Sequence, residues 1–229
     1  MTAGLVVPFW SADEVESSIP GTIAHLNARK VLGYPTETVY GFGGAVDKES
    51  VQALVDLKGR APGKPFLVLV SGSEMITRLG LHLGSYAASL AARHWPGPLT
   101  LVLPGGEHRV PPKLRGPEGG VAVRWTPHKG LLRLINAYGQ PITSTSANKP
   151  RVLPATAASE IVAQWRQEVV SGELRVLDGG TLAHSPPSTV VDCTGPTAKI
   201  IRPGAVTLEE LRNTVPDIID APPFVPSPS

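Results

Sequence analysis

Cysteine occurs once in the 229 residues, at position 193. One thiol excludes an internal disulfide framework and any cysteine-based zinc site, and it points to a reducing, cytoplasmic setting. Charged residues make up only 17% of the chain against 41% hydrophobic, which excludes a disordered polyelectrolyte. No apolar run approaches the ~20 residues of a membrane helix, and no membrane association is expected. The first basic residue is Arg29, so the charged start of a signal peptide is missing. The serine-hydrolase elbow G-x-S-x-G and the zinc motif H-E-x-x-H are both absent. Gly59-Arg60-Ala61-Pro62-Gly63-Lys64-Pro65 is one residue short of a phosphate-binding P-loop, puts Pro65 where Ser or Thr would hold magnesium, and precedes a strand instead of following one. Gly41-Phe42-Gly43-Gly44 lacks the spacing of a dinucleotide fingerprint. Cys193 lies in an expected strand and reads as a small buried hydrophobe.

Glycine and proline are abundant instead, 24 of each, implying many tight turns between short elements. Helical and extended patterns alternate, predicting an α/β fold. Helices are expected from Pro20, after Asp47, over 84–94, around 128–138, over 156–170 and after Thr207. Strands are expected at 31–35, 66–70, 99–103, 121–125, 141–145, 174–177, 189–193 and 199–201. One domain over 1–219 is expected, followed by a disordered Pro-rich tail over 220–229.

The formal charge of +2 conceals an uneven distribution. Residues 1–56 sum to −4, 57–133 to +8 and 134–229 to −2, so an anionic ligand is expected to meet the middle of the chain. Four segments carry polar chemistry at the ends of apolar strands. In Tyr34-Pro-Thr-Glu-Thr-Val-Tyr-Gly41, hydrogen-bonding side chains follow a strand, where α/β folds place ligands, and the glycines behind them admit close approach; a capped turn would look the same. Lys58-Gly-Arg60-Ala-Pro-Gly-Lys64 holds three cations and no carboxylate, which suits a polyphosphate. Alternation in Val121-Ala-Val-Arg124-Trp125 puts Arg124 and Ala122 on one face, where the guanidinium suits a carboxylate or phosphate. No acid close in sequence offers it an ion pair. Thr143-Ser-Thr-Ser-Ala-Asn148 presents small hydroxyls and an amide, a set that is as often a plain turn.

Taken with Trp95-Pro-Gly-Pro-Leu-Thr100, Ser188-Thr-Val-Val-Asp192 and Arg202-Pro-Gly204, these segments closely resemble, in order, the YrdC/Sua5 family. The resemblance spans about residues 19 to 205. It implies a twisted, mostly parallel or mixed sheet flanked by helices, with a large basic concave cavity, in the short single-domain form. It also implies an L-threonylcarbamoyladenylate synthase, a nucleotidyltransferase that makes threonylcarbamoyl-AMP and pyrophosphate from ATP, L-threonine and bicarbonate for the t6A modification of tRNA position 37. By that resemblance Lys58 and Arg60 would act on the ATP phosphates as the catalytic cations, Lys64 would assist, and Ser146, Asn148 and Arg202 would hold the nucleotide. Thr36, Arg124, Ser144 and Ser188 would hold threonine. No metal site of the protein's own is implied, and Mg²⁺ would ride on the ATP phosphates. Partners would be the t6A-pathway transferase proteins, with weak RNA binding as a side activity.

Three positions depart from the family pattern. Lys64 stands where many relatives have Asn, Leu69 where some have a His near threonine, and Pro154 where several have a nucleotide-binding Ser. Two other readings compete. A carbamoyl-adenylate-forming domain normally sits beside zinc-finger or kinase-like partners, for which this chain has no room. A double-stranded RNA-binding module would use the +8 segment, but 5% aromatics and no RNP or KH signature argue against base recognition. Arg109, Lys113 and Arg115 have no assigned partner.

Overall fold

Local signals set the element boundaries. The computed structural model describes residues 5–59, 65–150, 152–183 and 185–220. In chain order its elements are β1 (Val6–Pro8), α1 (Ala12–Asn27), β2 (Val31–Tyr34), β3 (Gly41–Gly43), α2 (Lys48–Lys58), β4 (Leu67–Val70), α3 (Ser73–Arg78), α4 (Ser85–His94), β5 (Leu99–Leu103), β6 (Val121–Trp125), α5 (Lys129–Tyr138), β7 (Ile142–Ser146), α6 (Ala158–Gln164), α7 (Arg166–Ser171), β8 (Leu174–Asp178), β9 (Thr189–Asp192), β10 (Lys199–Arg202) and α8 (Leu208–Arg212). Asp47 caps α2 through the Ser50 amide, and Thr207 and Glu210 form a capping box on α8. None of the described helices is long and apolar enough to cross a membrane.

Three expectations needed correction. Helix α1 starts at Ala12, eight residues before Pro20, because Ser11 and Glu14 form a capping box there. Pro20 lies inside the helix on its exposed side, where water can satisfy the carbonyl deprived of its partner. The single helix expected over 156–170 breaks at Trp165, whose backbone leaves helical geometry while its indole is buried edge-on against Phe42, centroids 4.7 Å apart. That aromatic contact is worth about 0.5–1.5 kcal/mol beyond area burial. No strand was expected between residues 35 and 66, yet Gly41–Gly43 forms one.

The strands form one sheet in the order β1-β8-β2-β3-β7-β4-β6-β5-β9-β10. Pairings β1–β8, β2–β8, β4–β6 and β5–β9 are parallel, and β2–β3, β3–β7, β4–β7, β5–β6 and β9–β10 are antiparallel. The sheet is therefore mixed and not mostly parallel. Strands β3 and β7, each antiparallel to both of its neighbours, supply three of the antiparallel pairings. Strands β2, β3 and β7 are almost wholly buried and β4, β5, β6 and β8 mostly so, which places the core along the central strands.

His25, buried on the inner side of α1, donates from Nε2 to the Val31 carbonyl at 2.8 Å. Burial, and to a smaller degree Arg175 and Lys30, lower its pKa; the Val31 carbonyl and Glu173 oppose them only in part. Its folded-state pKa thus lies below the unfolded value of ~6.5. The stability this contributes is complete above that value and is lost as pH falls through it toward the folded pKa. His94 and His128 are lowered by burial with the same sign. Urea midpoints measured from pH 7.5 to 5.5 are expected to fall, and less steeply in His25→Gln. Equal slopes in the two proteins would contradict this account.

Candidate functional site

A cavity of about 550 Å³ opens over one face of the sheet. Its floor is built by the alternation of the strands that cross it: Leu67 from β4, Ala122 and Arg124 from β6, Thr100 and Val102 from β5, Val190 and Asp192 from β9, Ser144 and Ser146 from β7. The face expected for Arg124 and Ala122 is the cavity face. Thr36 enters from the β2–β3 turn, Ser188 from the residue before β9 and Arg202 from the end of β10. Six of the ten residues expected at the site therefore meet in one place. Arg60 and Lys64 lie outside the described residues.

The remaining two, Lys58 and Asn148, do not line the cavity but sit against the Ser146 segment. Lys58 is the last residue of α2, not part of the basic loop, because Gly59 stops the helix in the left-handed conformation with φ 55°. Its buried ammonium donates to the carbonyls of Ser146, at 2.8 Å, and Asn148, and to Asn148 Oδ1 at 3.0 Å. Ser146 Oγ also donates to Asn148 Oδ1 at 2.6 Å, and Asn148 Nδ2 ties down the Val152 carbonyl at 2.8 Å. Lys58 thus pins the chain that leaves β7.

Arg124 is buried, and its Nη1 stands 3.4 Å from Glu37 Oε1. The acid missing from its sequence neighbourhood comes from the β2–β3 turn. Thr126 Oγ1 donates to the other Glu37 oxygen at 2.9 Å. Neither Arg124 Nε nor Glu37 Oε1 has a hydrogen-bond partner among the described residues. Glu37 was unrecognised in the sequence as a partner; the one clue was a lone carboxylate between two threonines. Thr36 Oγ1 meanwhile donates to the Val39 carbonyl at 2.6 Å and accepts from the Thr38 and Val39 amides. The capped-turn reading holds, and the cap itself borders the cavity.

Arg202 turns to Ser188, donating from Nη2 to its carbonyl at 2.7 Å and to its Oγ at 3.0 Å. Burial first, and then the nearby charge of Arg124, keep the Arg202 guanidinium below its ordinary pKa. Two cations held near each other at low water content favour an anion beside them. Glu118 and Asp192 balance them in the described lining, so the strongly basic character expected of the cavity is not evident there. Tyr34, beneath Ser144 and Arg124, donates to the Thr143 carbonyl at 2.8 Å, and burial pushes its phenol far up. Leu69, where a His was the alternative, is fully buried in register with Arg124. Burial, with help from Asp192, pushes the Cys193 thiol up to about 12, which removes it as a nucleophile at neutral pH. Arg109 donates to the Arg78 carbonyl, Lys113 to Gln52, and Arg115 to the carbonyls of Gly105 and Gly119, so all three cations hold the surface loops.

A family model covering Sua5, YciO and YrdC proteins, described as "Telomere recombination", matches residues 24–204. The chain belongs to this family. Among relatives of the Sua5/YciO/YrdC family, it is 35% identical over 190 residues to a threonylcarbamoyl-AMP synthase of Pyrococcus abyssi, covering 82% of this chain and 54% of that one. It is also 35% identical over 196 residues to a threonylcarbamoyl-AMP synthase of Thiobacillus denitrificans, covering 84% and 98%. The chain thus spans about half the length of the first relative and nearly all of the second. The fold superimposes on P. abyssi Sua5 complexed with L-threonine with a TM-score of 0.85 and 32% identity, covering 95% of this chain and 62% of that one. Escherichia coli YciO matches with a TM-score of 0.77 at 21% identity, a likeness of fold alone, covering 90% and 98%.

Proposed function

We propose that this member of the Sua5/YciO/YrdC family is a threonylcarbamoyl-AMP synthase. The observation that carries the reading is the convergence of Thr36, Arg124, Ser144, Ser146, Ser188 and Arg202 on one cavity from separate strands and turns. The relatives' names and the threonine complex of a similar fold support it.

In this reading Arg124, held by Glu37, receives the threonine carboxylate, and the hydroxyls of Thr36, Ser144 and Ser188 face the rest of the amino acid. The nucleotide lies toward Ser146 and Arg202, with its phosphates toward Arg60 and Lys64, while Lys58 holds the chain that carries Ser146. Bicarbonate and the threonine amine condense to a carbamate with loss of water. A carbamate oxygen then attacks the α-phosphorus of ATP, the bond to the bridging oxygen breaks, and pyrophosphate leaves. No protein nucleophile takes part, so catalysis is positioning and charge neutralisation. No group of three His, Cys, Asp or Glu side chains occurs among the described residues. Mg²⁺ would ride on the ATP phosphates and water, where it would neutralise phosphate charge. The labile product would pass to the t6A transferase proteins.

The test is pyrophosphate release with ATP, Mg²⁺ and bicarbonate, with and without L-threonine. Release is expected only when threonine is present, accompanied by threonylcarbamoyl-AMP. Release at the same rate without threonine would overturn the assignment.

A further inference from the structure

Thr100 has no part in the roles assigned above, yet it lies in the middle of the cavity floor. It is 1% exposed on β5 and lines the cavity, and its Oγ1 is 2.9 Å from Ser188 Oγ. Arg202 Nη2 donates to that same Ser188 Oγ at 3.0 Å.

The proton count of this cluster is informative. A guanidinium only donates, whereas each hydroxyl has one proton and two lone pairs. Arg202 therefore occupies one lone pair of Ser188. The bond between the two hydroxyls uses one of their two protons, whichever residue donates it. Ser188 is the only hydrogen-bond partner of Thr100 Oγ1 among the described residues. One hydroxyl proton of the pair is thus left over, on a residue that borders the cavity. A buried donor without an acceptor is unfavourable, so the cluster favours a ligand that brings an oxygen acceptor to it.

We propose that Thr100 is a positioning residue for the amino-acid half of the reaction. In this role its hydroxyl donates to Ser188 Oγ, which also accepts from Arg202, so that the spare proton is the one on Ser188 and is directed to an oxygen of the bound threonine or its carbamate. This inference rests on the threonylcarbamoyl-AMP synthase reading. Because Arg202 also fastens the Ser188 carbonyl at 2.7 Å, the main chain stays in place without Thr100, and only the hydroxyl loses its direction.

The experiment compares the wild type with Thr100→Val, which keeps the branched shape but not the hydroxyl, and with Thr100→Ser, which keeps the hydroxyl. Steady-state pyrophosphate release is measured against threonine and, separately, against ATP. For Thr100→Val the KM for threonine is expected to rise about tenfold, the loss of one directed hydrogen bond. The KM for ATP should stay within twofold, and Thr100→Ser should stay within threefold of wild type in every parameter. In a Ser188→Ala background, Thr100→Val should add nothing. A threonine KM unchanged by Thr100→Val overturns the proposal, as do equal rises in both KM values, an equally impaired Thr100→Ser, or additive losses with Ser188→Ala. If Thr100→Val does not fold, Thr100→Cys is read by the same criteria. A wild type that releases pyrophosphate without threonine defeats the functional reading itself, whereas a threonine-dependent wild type with an unaffected Thr100→Val defeats only the role of Thr100.

Discussion

Gly43→Ala is expected to destabilise the protein by about 3 kcal/mol or more, the upper part of the range for overpacked sites. A Cβ built on Gly43 would stand 1.8 Å from the Thr143 carbonyl oxygen and 2.7 Å from the Tyr34 hydroxyl. The first obstacle is backbone of a central strand and cannot rotate away. The second is the phenol already bound to that carbonyl. Relief requires β3 and β7 to move apart in the middle of the sheet, and β7 carries Ser144 and Ser146. A drop in urea midpoint should therefore be accompanied by loss of threonine-dependent pyrophosphate release. Gly84→Ala is the control: nothing lies within 4 Å of its Cβ and its φ is −63°, so it should cost no more than about 1 kcal/mol, the loss of a glycine N-cap on α4. A Gly43→Ala protein within 1 kcal/mol of wild type would mean that the two strands are not so closely apposed.

Arg124→Ala is expected to lower kcat/KM for threonine by about 100- to 1000-fold while changing the KM for ATP by less than about threefold. Losing one partner of a buried charged contact costs ~2–5 kcal/mol, and each ~1.4 kcal/mol is a factor of ten. The same substitution strands the Glu37 carboxylate, which is largely buried at 3.4 Å from Arg124. Stability should fall by about 3 kcal/mol for that reason. Adding Glu37→Gln removes the orphaned charge and keeps an acceptor for the Thr126 hydroxyl. The double variant should recover most of the lost stability and none of the lost threonine use. If Arg124→Ala leaves threonine kinetics unchanged, or if the double variant restores them, Arg124 does not receive the carboxylate.

Much of the fold was legible because short-range physics controls it. Asp47 and Thr207 cap the helices they were expected to cap, and the alternation in Val121-Ala-Val-Arg-Trp125 put Ala122 and Arg124 on the side of β6 that lines the cavity. Sequence proximity failed where a partner arrives from another element. Glu37 reaches Arg124 from the β2–β3 turn, and Thr100 meets Ser188 across neighbouring strands. The packing role of Gly43 was hidden for the same reason. Gly43 accommodates a crossing strand, an obstacle visible only once β7 lies against β3.

By itself, then, the amino-acid sequence determined the alternation of helix and strand, the buried faces, and the types of side chain available to an anionic ligand. Those features depend on interactions within a few residues, and periodicity and caps record them. The tertiary structure alone decided which polar groups meet: Lys58 pinning the chain after β7, Glu37 holding Arg124, and Thr100 with Arg202 enclosing the Ser188 hydroxyl. The directions of these groups depend on strand order and register, which the mixed pairing of the sheet establishes and no local pattern encodes.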